Sequence, residues 1–228
     1  MTKHQFKSLQ VFRGFAALAV VAHHAALSTE AFVGTMPESV SQLVNLGLFG
    51  VDFFFVLSGF IIMYAHMNDD RTLSATNRYV LKRLTRIFPA YLPVGLGMIV
   101  IYTAMPSLSA GAARDFSLVS SVLLLPANAP PALSVAWTLV HELMFYGVFL
   151  LFFVQGSWLV VGLLVWALVI VLAEHFIVPT GWLSYPLSLL NIEFMFGVGA
   201  AWLVQSRVFQ DKGPSVALLG GGLVCFVL

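Results

Sequence analysis

An apolar run near the N-terminus carries Arg13, His23 and His24, and later apolar runs hold Asp52, Glu142 and Glu193, with His141 beside Glu142. An ionisable group inside hydrocarbon costs roughly 2.5–3.5 kcal/mol on insertion scales, so each one needs a partner, a water-filled cavity or a function. An imidazole titrates near neutrality and can take the proton of an attacking hydroxyl, while a neighbouring carboxylate orients the ring and stabilises its protonated form. Arg13 and His24 are eleven residues apart, and eleven helical steps of ~100° return to within about 20° of the start, so both leave one helix face ~16 Å apart along the axis. His24 is the candidate general base. His23 points ~100° away and reads as structural. Asp52 and Glu142 are the candidate catalytic carboxylates, expected at about the depth of His24, with Arg13 below them. A packing histidine bonded across helices is the bland alternative for His24, and Asp52 has an equal claim to neutralising Arg13. Spacing offers no partner for Glu193.

The elements that must position these groups are membrane spans. Of the 228 residues, 60% are hydrophobic and 9% charged, and the mean hydropathy of +0.94 is that of a membrane-embedded chain. Apolar stretches near 9–28, 46–66, 87–106, 134–154, 158–178 and 186–205 reach the ~20 residues that crossing requires. The expected fold is therefore all-α, a polytopic transmembrane bundle of six complete spans. SLVSSVLLLP around 117–126 is too short to cross and is expected at the interface or re-entering within protein. A partial seventh span runs from Pro214 to Leu228, about 22 Å of helix. Residues 1–228 thus read as one membrane domain that stops inside a span. Arg13 interrupts the apolar stretch a secretory signal would need, so the first run reads as a retained span.

Orientation follows from the basic residues of the loops. With the N-terminus cytoplasmic, the inner loops hold Lys3, Lys7, Arg71, Arg78, Lys82, Arg83, Arg86, Arg207 and Lys212, against Arg114 alone outside. The net charge of +1 gives no sign of a nucleic-acid partner. The single cysteine, Cys225, excludes an internal disulfide and a cysteine metal cluster. No metal-ligand spacing, nucleophile elbow or phosphate-binding glycine loop is present.

In RYVLKRLTRIFPAYL, Arg78, Lys82 and Arg86 share a helix face at i, i+4 and i+8, with Tyr79 and Arg83 on the neighbouring stripe. Such residues commonly anchor a span. They equally suit a phosphate clamp, because guanidinium groups bind phosphate through two parallel bonds. Ser58 and Gly59 suit close helix packing.

Four blocks in order, SLQVFRGFAALAVVAHHA, GVDFFFVLSGFIIMYAH, RYVLKRLTRIFPAYL and AWTLVHELMFY, resemble the acyltransferase-3 family of bacterial membrane acyltransferases, particularly its exopolysaccharide-modifying members. The first holds the family's Arg, ten residues, His pattern at Arg13 and His24. The third matches its Arg-x-x-Arg-Ile-x-Pro element at Arg83, Arg86, Ile87 and Pro89, and the fourth its Trp-Ser/Thr-Leu-x-x-Glu-x-x-Phe-Tyr element at Trp137, Glu142, Phe145 and Tyr146. The likeness spans about Ser8 to Trp202, and the family usually has about ten spans. It implies transfer of an acyl group, commonly acetyl, from acyl-coenzyme A to a sugar hydroxyl of a polysaccharide, lipopolysaccharide or glycolipid, at the bacterial inner membrane. Donor phosphates would meet Arg83 and Arg86 at the cytoplasmic face, with Arg13 as a further donor-side cation, and the pantetheine arm would run up the bundle toward His24. Two other classes stay open: a transporter, because buried Arg, His, Asp and Glu also build proton relays, and a non-catalytic scaffold.

Overall fold

The computed structural model describes residues 7–105 and 115–205, and every regular element among the described residues is helical. The order is α1 (Lys7–Phe32), α2 (Glu38–Asn45), a 3-10 turn into α3 (Phe49–His66), α4 (Leu73–Ala104), α5 (Leu118–Leu123), a second 3-10 turn into α6 (Trp137–Phe149), α7 (Leu151–Val154), α8 (Gly156–Phe176) and α9 (Leu190–Gln205). Five stretches are long and apolar enough to cross a bilayer: Leu9–Phe32, Glu38–His66, Leu73–Ala104, Ser134–Val154 and Gly156–Phe176. The chain is a multi-pass membrane protein. Five of the expected spans therefore have their helices. The sixth, expected over 186–205, is represented by the 16 residues of α9, about 24 Å of helix. The partial seventh span, Cys225, and the loop cations Lys3, Arg114, Arg207 and Lys212 lie outside the described residues.

Two boundaries differ from the hydropathy reading for a physical reason. α4 begins at Leu73, not near 87, because its first turns are charged and amphipathic and escape a hydropathy window. Thr72 caps it, its hydroxyl oxygen accepting from the Ala75 N–H at 3.2 Å. The buried side of this 32-residue helix is a four-residue row, Ala75, Tyr79, Arg83, Ile87, Tyr91 and Gly95, the i, i+4 ridge by which helices interlock. Pro89 and Pro93 lie within it, where the preceding carbonyls lose their helical donors. The second difference is α2, which fills part of a stretch that read as loop between the first two spans.

α8 shows what lipid exposure looks like here. Leu159, Leu163, Ile170 and Ala173 form its buried stripe, while Trp158, Val160, Val161, Leu164, Leu168 and Leu172 are exposed. An apolar residue facing hydrocarbon has nothing to gain from burial. α5 is the short, non-spanning element expected near 117–126: Ser117 caps it, and Leu124, in left-handed conformation at φ 54°, ends it. The Tyr91 hydroxyl donates to the Ser121 carbonyl at 2.7 Å, and the Ser121 hydroxyl accepts from the Ala132 N–H at 2.8 Å. Backbone groups that a short helix leaves open are thus satisfied by protein.

The chain divides into two compact units, one taking the described residues up to Ala65 and from Glu193 onward, the other His66–Ile192.

Candidate functional site

In the first unit, α1 and the start of α3 run against each other through glycines. A β-carbon at Gly47 would collide with the Ala19 carbonyl and His23, and one at Gly50 with the Ala16 carbonyl and Val20. His23 is buried and its Nδ1–H donates to the Val44 carbonyl at 3.2 Å. This is the structural role its direction implied. His24 donates from Nδ1 to the Val20 carbonyl at 2.8 Å, one turn back on its own helix. A carbonyl can only accept, so the hydrogen sits on Nδ1, and the neutral ring carries its lone pair on Nε2. The ring is half-buried and edge-on to His23 with centroids 5.5 Å apart.

The same glycine contacts set the register, and one expectation fails on it. Residue 47 opposes 19 and 23, and residue 50 opposes 16 and 20. Asp52 therefore comes level with the region of Ala16, about 12 Å along the axis from His24 and nearer the level of Arg13. The equal-depth expectation assumed that the second span begins at the outer limit of the first. In fact α1 continues to Phe32 and α2 occupies the level of His23 and His24.

Asp52 is hydrogen-bonded to Glu193 through their carboxyl groups. A bond between two carboxyls needs a proton on one of them. The second Glu193 oxygen, Oε2, is buried without a partner. Close approach of α3 and α9 makes the pairing: a β-carbon at Gly59 would fall on the Phe194 carbonyl, and one at Gly197 on the Val56 carbonyl. Phe55 and Phe194 pack beside it at 4.7 Å. Small residues allow this approach between membrane helices. Arg13 donates to Oε1 of Gln10 at 3.2 Å. An apolar cavity of about 160 Å³ lies in this unit, lined by Leu9, Phe53, Val56, Leu57, Phe60 and Ala200.

The second unit gathers a denser group. Arg83, on the buried ridge of α4, is 9% exposed. Its guanidinium lies over the rings of Tyr79 and Tyr146, at 5.5 and 5.4 Å from their centroids, cation–π contacts that strengthen when desolvated. The Tyr79 hydroxyl donates to the Tyr146 carbonyl at 3.1 Å, and the Tyr146 hydroxyl donates to Oε1 of Glu142 one turn earlier. Arg83 also donates from Nη2 to Nε2 of His66 at 3.0 Å, and His66 Nδ1 donates to Oδ2 of Asp69 at 2.8 Å. Arg86 is exposed, as are Arg78 and Lys82.

Of the six candidate residues, the structure joins Arg83 and Glu142 through Tyr146, and places His24, Arg13 and Asp52 on the helices of the first unit. His66 and Asp69 were not singled out from sequence, and Tyr79 was read only as sharing a stripe with Arg83. The signal was present in the His-x-x-Asp spacing directly after a span. His141 is part of a separate buried set: its Nδ1 donates to Oδ1 of Asn191 at 3.0 Å, and Asn191 donates to the Tyr185 carbonyl at 2.7 Å. Among the described residues no group of histidine, cysteine and carboxylate side chains has the geometry to hold a metal ion.

A family profile described as "Acyltransferase domain", that of acyltransferase-3, matches residues 6–228. The acyltransferase MdmB of Streptomyces mycarofaciens is 29% identical over 93% of this chain and 61% of its own length. The exopolysaccharide production protein ExoZ of Rhizobium meliloti is 31% identical over 49% of this chain and 36% of its own. The chain thus spans less than two thirds of either relative. No solved structure matches it. Because the profile runs through both units and all four motif blocks, the chain belongs to the acyltransferase-3 family.

Proposed function

We propose that this chain is the membrane portion of an O-acyltransferase that moves an acyl group, acetyl first among them, from acyl-coenzyme A to a hydroxyl of a cell-surface or exported carbohydrate or glycolipid. The observation that carries the reading is the Arg83 cluster. Two sequence elements far apart in the chain meet there, Arg83 of α4 and the Glu142–Tyr146 turn of α6. A cation held between aromatic rings beside a hydrogen-bonded carboxyl is suited to an anionic, partly apolar donor. The relative whose name records exopolysaccharide production supports a carbohydrate acceptor.

In this proposal the N-terminus and the turn after His66 face the cytoplasm of a bacterial inner membrane, where the donor is made. Arg83 and Arg86 meet its phosphates, with Arg13 as a further cation on that side. The acceptor oxygen attacks the thioester carbonyl carbon and His24 Nε2 takes its proton. The carbon–sulfur bond then breaks, and the thiolate leaves as the free thiol once protonated. Glu142 and Asp52 are the carboxyls available to stabilise charge as this happens.

The test is thiol release from acetyl-coenzyme A by the purified full-length protein in detergent or nanodiscs. Release that depends on an added carbohydrate acceptor, with an ester in the product, is expected. A proton-coupled transporter is the second reading, favoured by the pairing of the Asp52 and Glu193 carboxyl groups within the bundle. Proton flux in proteoliposomes without thiol release would establish it in place of the first.

A further inference from the structure

The Arg83 side chain is nearly all accounted for. Both tyrosine rings lie against it, and Nη2 donates to His66. The Nε–H does not fit this pattern, for it is buried and has no acceptor. A buried charged donor left open in a well-packed site calls for an acceptor that the protein does not supply. The in-plane edge of a guanidinium is the edge that grips an oxyanion through parallel bonds.

His66 makes this arrangement usable. Arginine has no acceptor atom, so the 3.0 Å bond to Nε2 requires that nitrogen to carry the lone pair, and the 2.8 Å bond to Asp69 places the hydrogen on Nδ1. The imidazole is neutral and of one tautomer. A carboxylate bonded directly to Nη2 would cancel the charge of Arg83 and compete with an incoming anion. A neutral imidazole holds the fork in place, with the Asp69 carboxylate one ring further off. His66 is itself packed edge-on to Tyr79, with centroids 5.1 Å apart, and against Phe149 and Phe153. Its ring has little freedom to leave.

We propose that His66, oriented by Asp69, is a positioning residue that holds Arg83 with its Nε edge open to a phosphate oxyanion of the acyl donor. This rests on the donor reading of Arg83 given above. His66 touches no substrate in this account; it acts through Arg83.

The experiment is coenzyme A binding to the full-length protein in nanodiscs, alongside the KM for acetyl-coenzyme A and the melting temperature. His66→Ala should weaken coenzyme A binding about tenfold and raise the donor KM in step, with kcat within twofold of the parent. His66→Gln, whose amide oxygen can stand where Nε2 stood, should recover most of that loss. Asp69→Asn keeps an acceptor for Nδ1–H and should cost threefold or less. In an Arg83→Ala background, His66→Ala should add nothing. If Arg83→Ala weakens binding but neither His66→Ala nor His66→Gln does, the positioning role is wrong and the donor reading stands. If Arg83→Ala leaves binding unaltered, the donor reading of Arg83 fails and the positioning role with it. Should His66→Ala not fold, His66→Leu, which fills the space but offers Nη2 no acceptor, takes its place: tenfold weaker coenzyme A binding in His66→Leu with His66→Gln near the parent supports the role, and parental binding in His66→Leu overturns it.

Discussion

Gly59 of α3 lies so close to Phe194 of α9 that a β-carbon there would fall on the Phe194 carbonyl oxygen. Gly197 repeats the relationship against Val56 from the other helix. Hydrocarbon gives no hydrophobic drive to join two apolar helices, so close backbone packing has to do it. Gly59→Ala or Gly197→Ala should force the helices apart and destabilise the protein by about 1–3 kcal/mol, the usual cost of overpacking. Gly14 and Gly199 have open space at the same atom. Alanine there should leave the melting temperature in detergent equal or slightly higher, since glycine costs a helix interior roughly 0.5–1 kcal/mol. An unaltered melting temperature for Gly59→Ala would remove the basis for pairing α3 with α9 in this register.

That register brings Asp52 to Glu193, and the pair should behave as a unit. Removing either carboxyl strands the other, whose second oxygen in Glu193 already lacks a partner. A double-mutant cycle with Asp52→Ala and Glu193→Ala should give a coupling of about 0.6–1.7 kcal/mol, the range found for polar pairs between membrane helices. Additive losses would mean the two groups do not interact in the membrane.

Orientation is open to direct labelling. In a Cys225→Ser background, a cysteine at Ser41 in α2 should react with an impermeant thiol reagent on intact cells, and one at Ser74, at the start of α4, only after lysis. The reverse pattern would invert the topology argued from the loop cations and move the arginine cluster to the outer face.

Hydropathy reads what lipid imposes, so the five spans were legible, and so was the failure of 117–126 to cross. It does not read helix that stands in water or at the interface. The first turns of α4 carry Arg78, Lys82, Arg83 and Arg86, and α2 has few apolar residues. The division of α4 into stripes was legible, because i, i+4 spacing alone separates Arg78, Lys82 and Arg86 from Tyr79 and Arg83, but which stripe is buried was not. Nor was depth. It depends on where a partner helix starts, and the 3-10 turn at Leu46–Leu48 with α2 before it shifts Asp52 away from His24. Contacts made across the fold were beyond spacing altogether: nothing in a run of 141 residues announces that Asp52 will meet Glu193. His66 was hidden differently, as a basic residue where a span ends, which is where anchors are ordinarily found.

Arg83 and Arg86 differ in exposure, and their substitutions should differ in kind. Exposed Arg86 should act on coenzyme A binding in a salt-dependent way, with Arg86→Ala leaving the fold intact. Arg83→Ala removes a buried group stacked between two rings and should lower both binding and thermal stability. With both replaced, binding should fall by about 2–4 kcal/mol if two charge-assisted contacts are lost. Unaltered coenzyme A affinity in a correctly inserted double mutant would return the pair to the role of membrane anchors.

The two adjacent histidines provide the sharpest separation of chemistry from packing. His24 is half-buried, with Nδ1–H held by the Val20 carbonyl and Nε2 left as the basic nitrogen. His23 is buried, and its Nδ1–H ties α1 to the Val44 carbonyl at the end of α2. As general base, His24 must be neutral when the acceptor attacks, with Nε2 free to take the proton. His24→Ala should lower kcat by about 10²–10⁴-fold, the usual worth of a positioned base, with coenzyme A binding close to normal. His23→Ala should do the opposite: a lower melting temperature from the lost bond and the cavity, about 1–3 kcal/mol for a stranded buried acceptor, and a kcat within a few-fold of the parent. The measurement is acceptor-dependent thiol release by full-length protein, with insertion checked for both variants. If His24→Ala acylates at the parental rate while His23→Ala does not, the proton acceptor is on the other face of α1. If neither changes the rate, the pair serves packing alone and the base must be sought among the carboxyls.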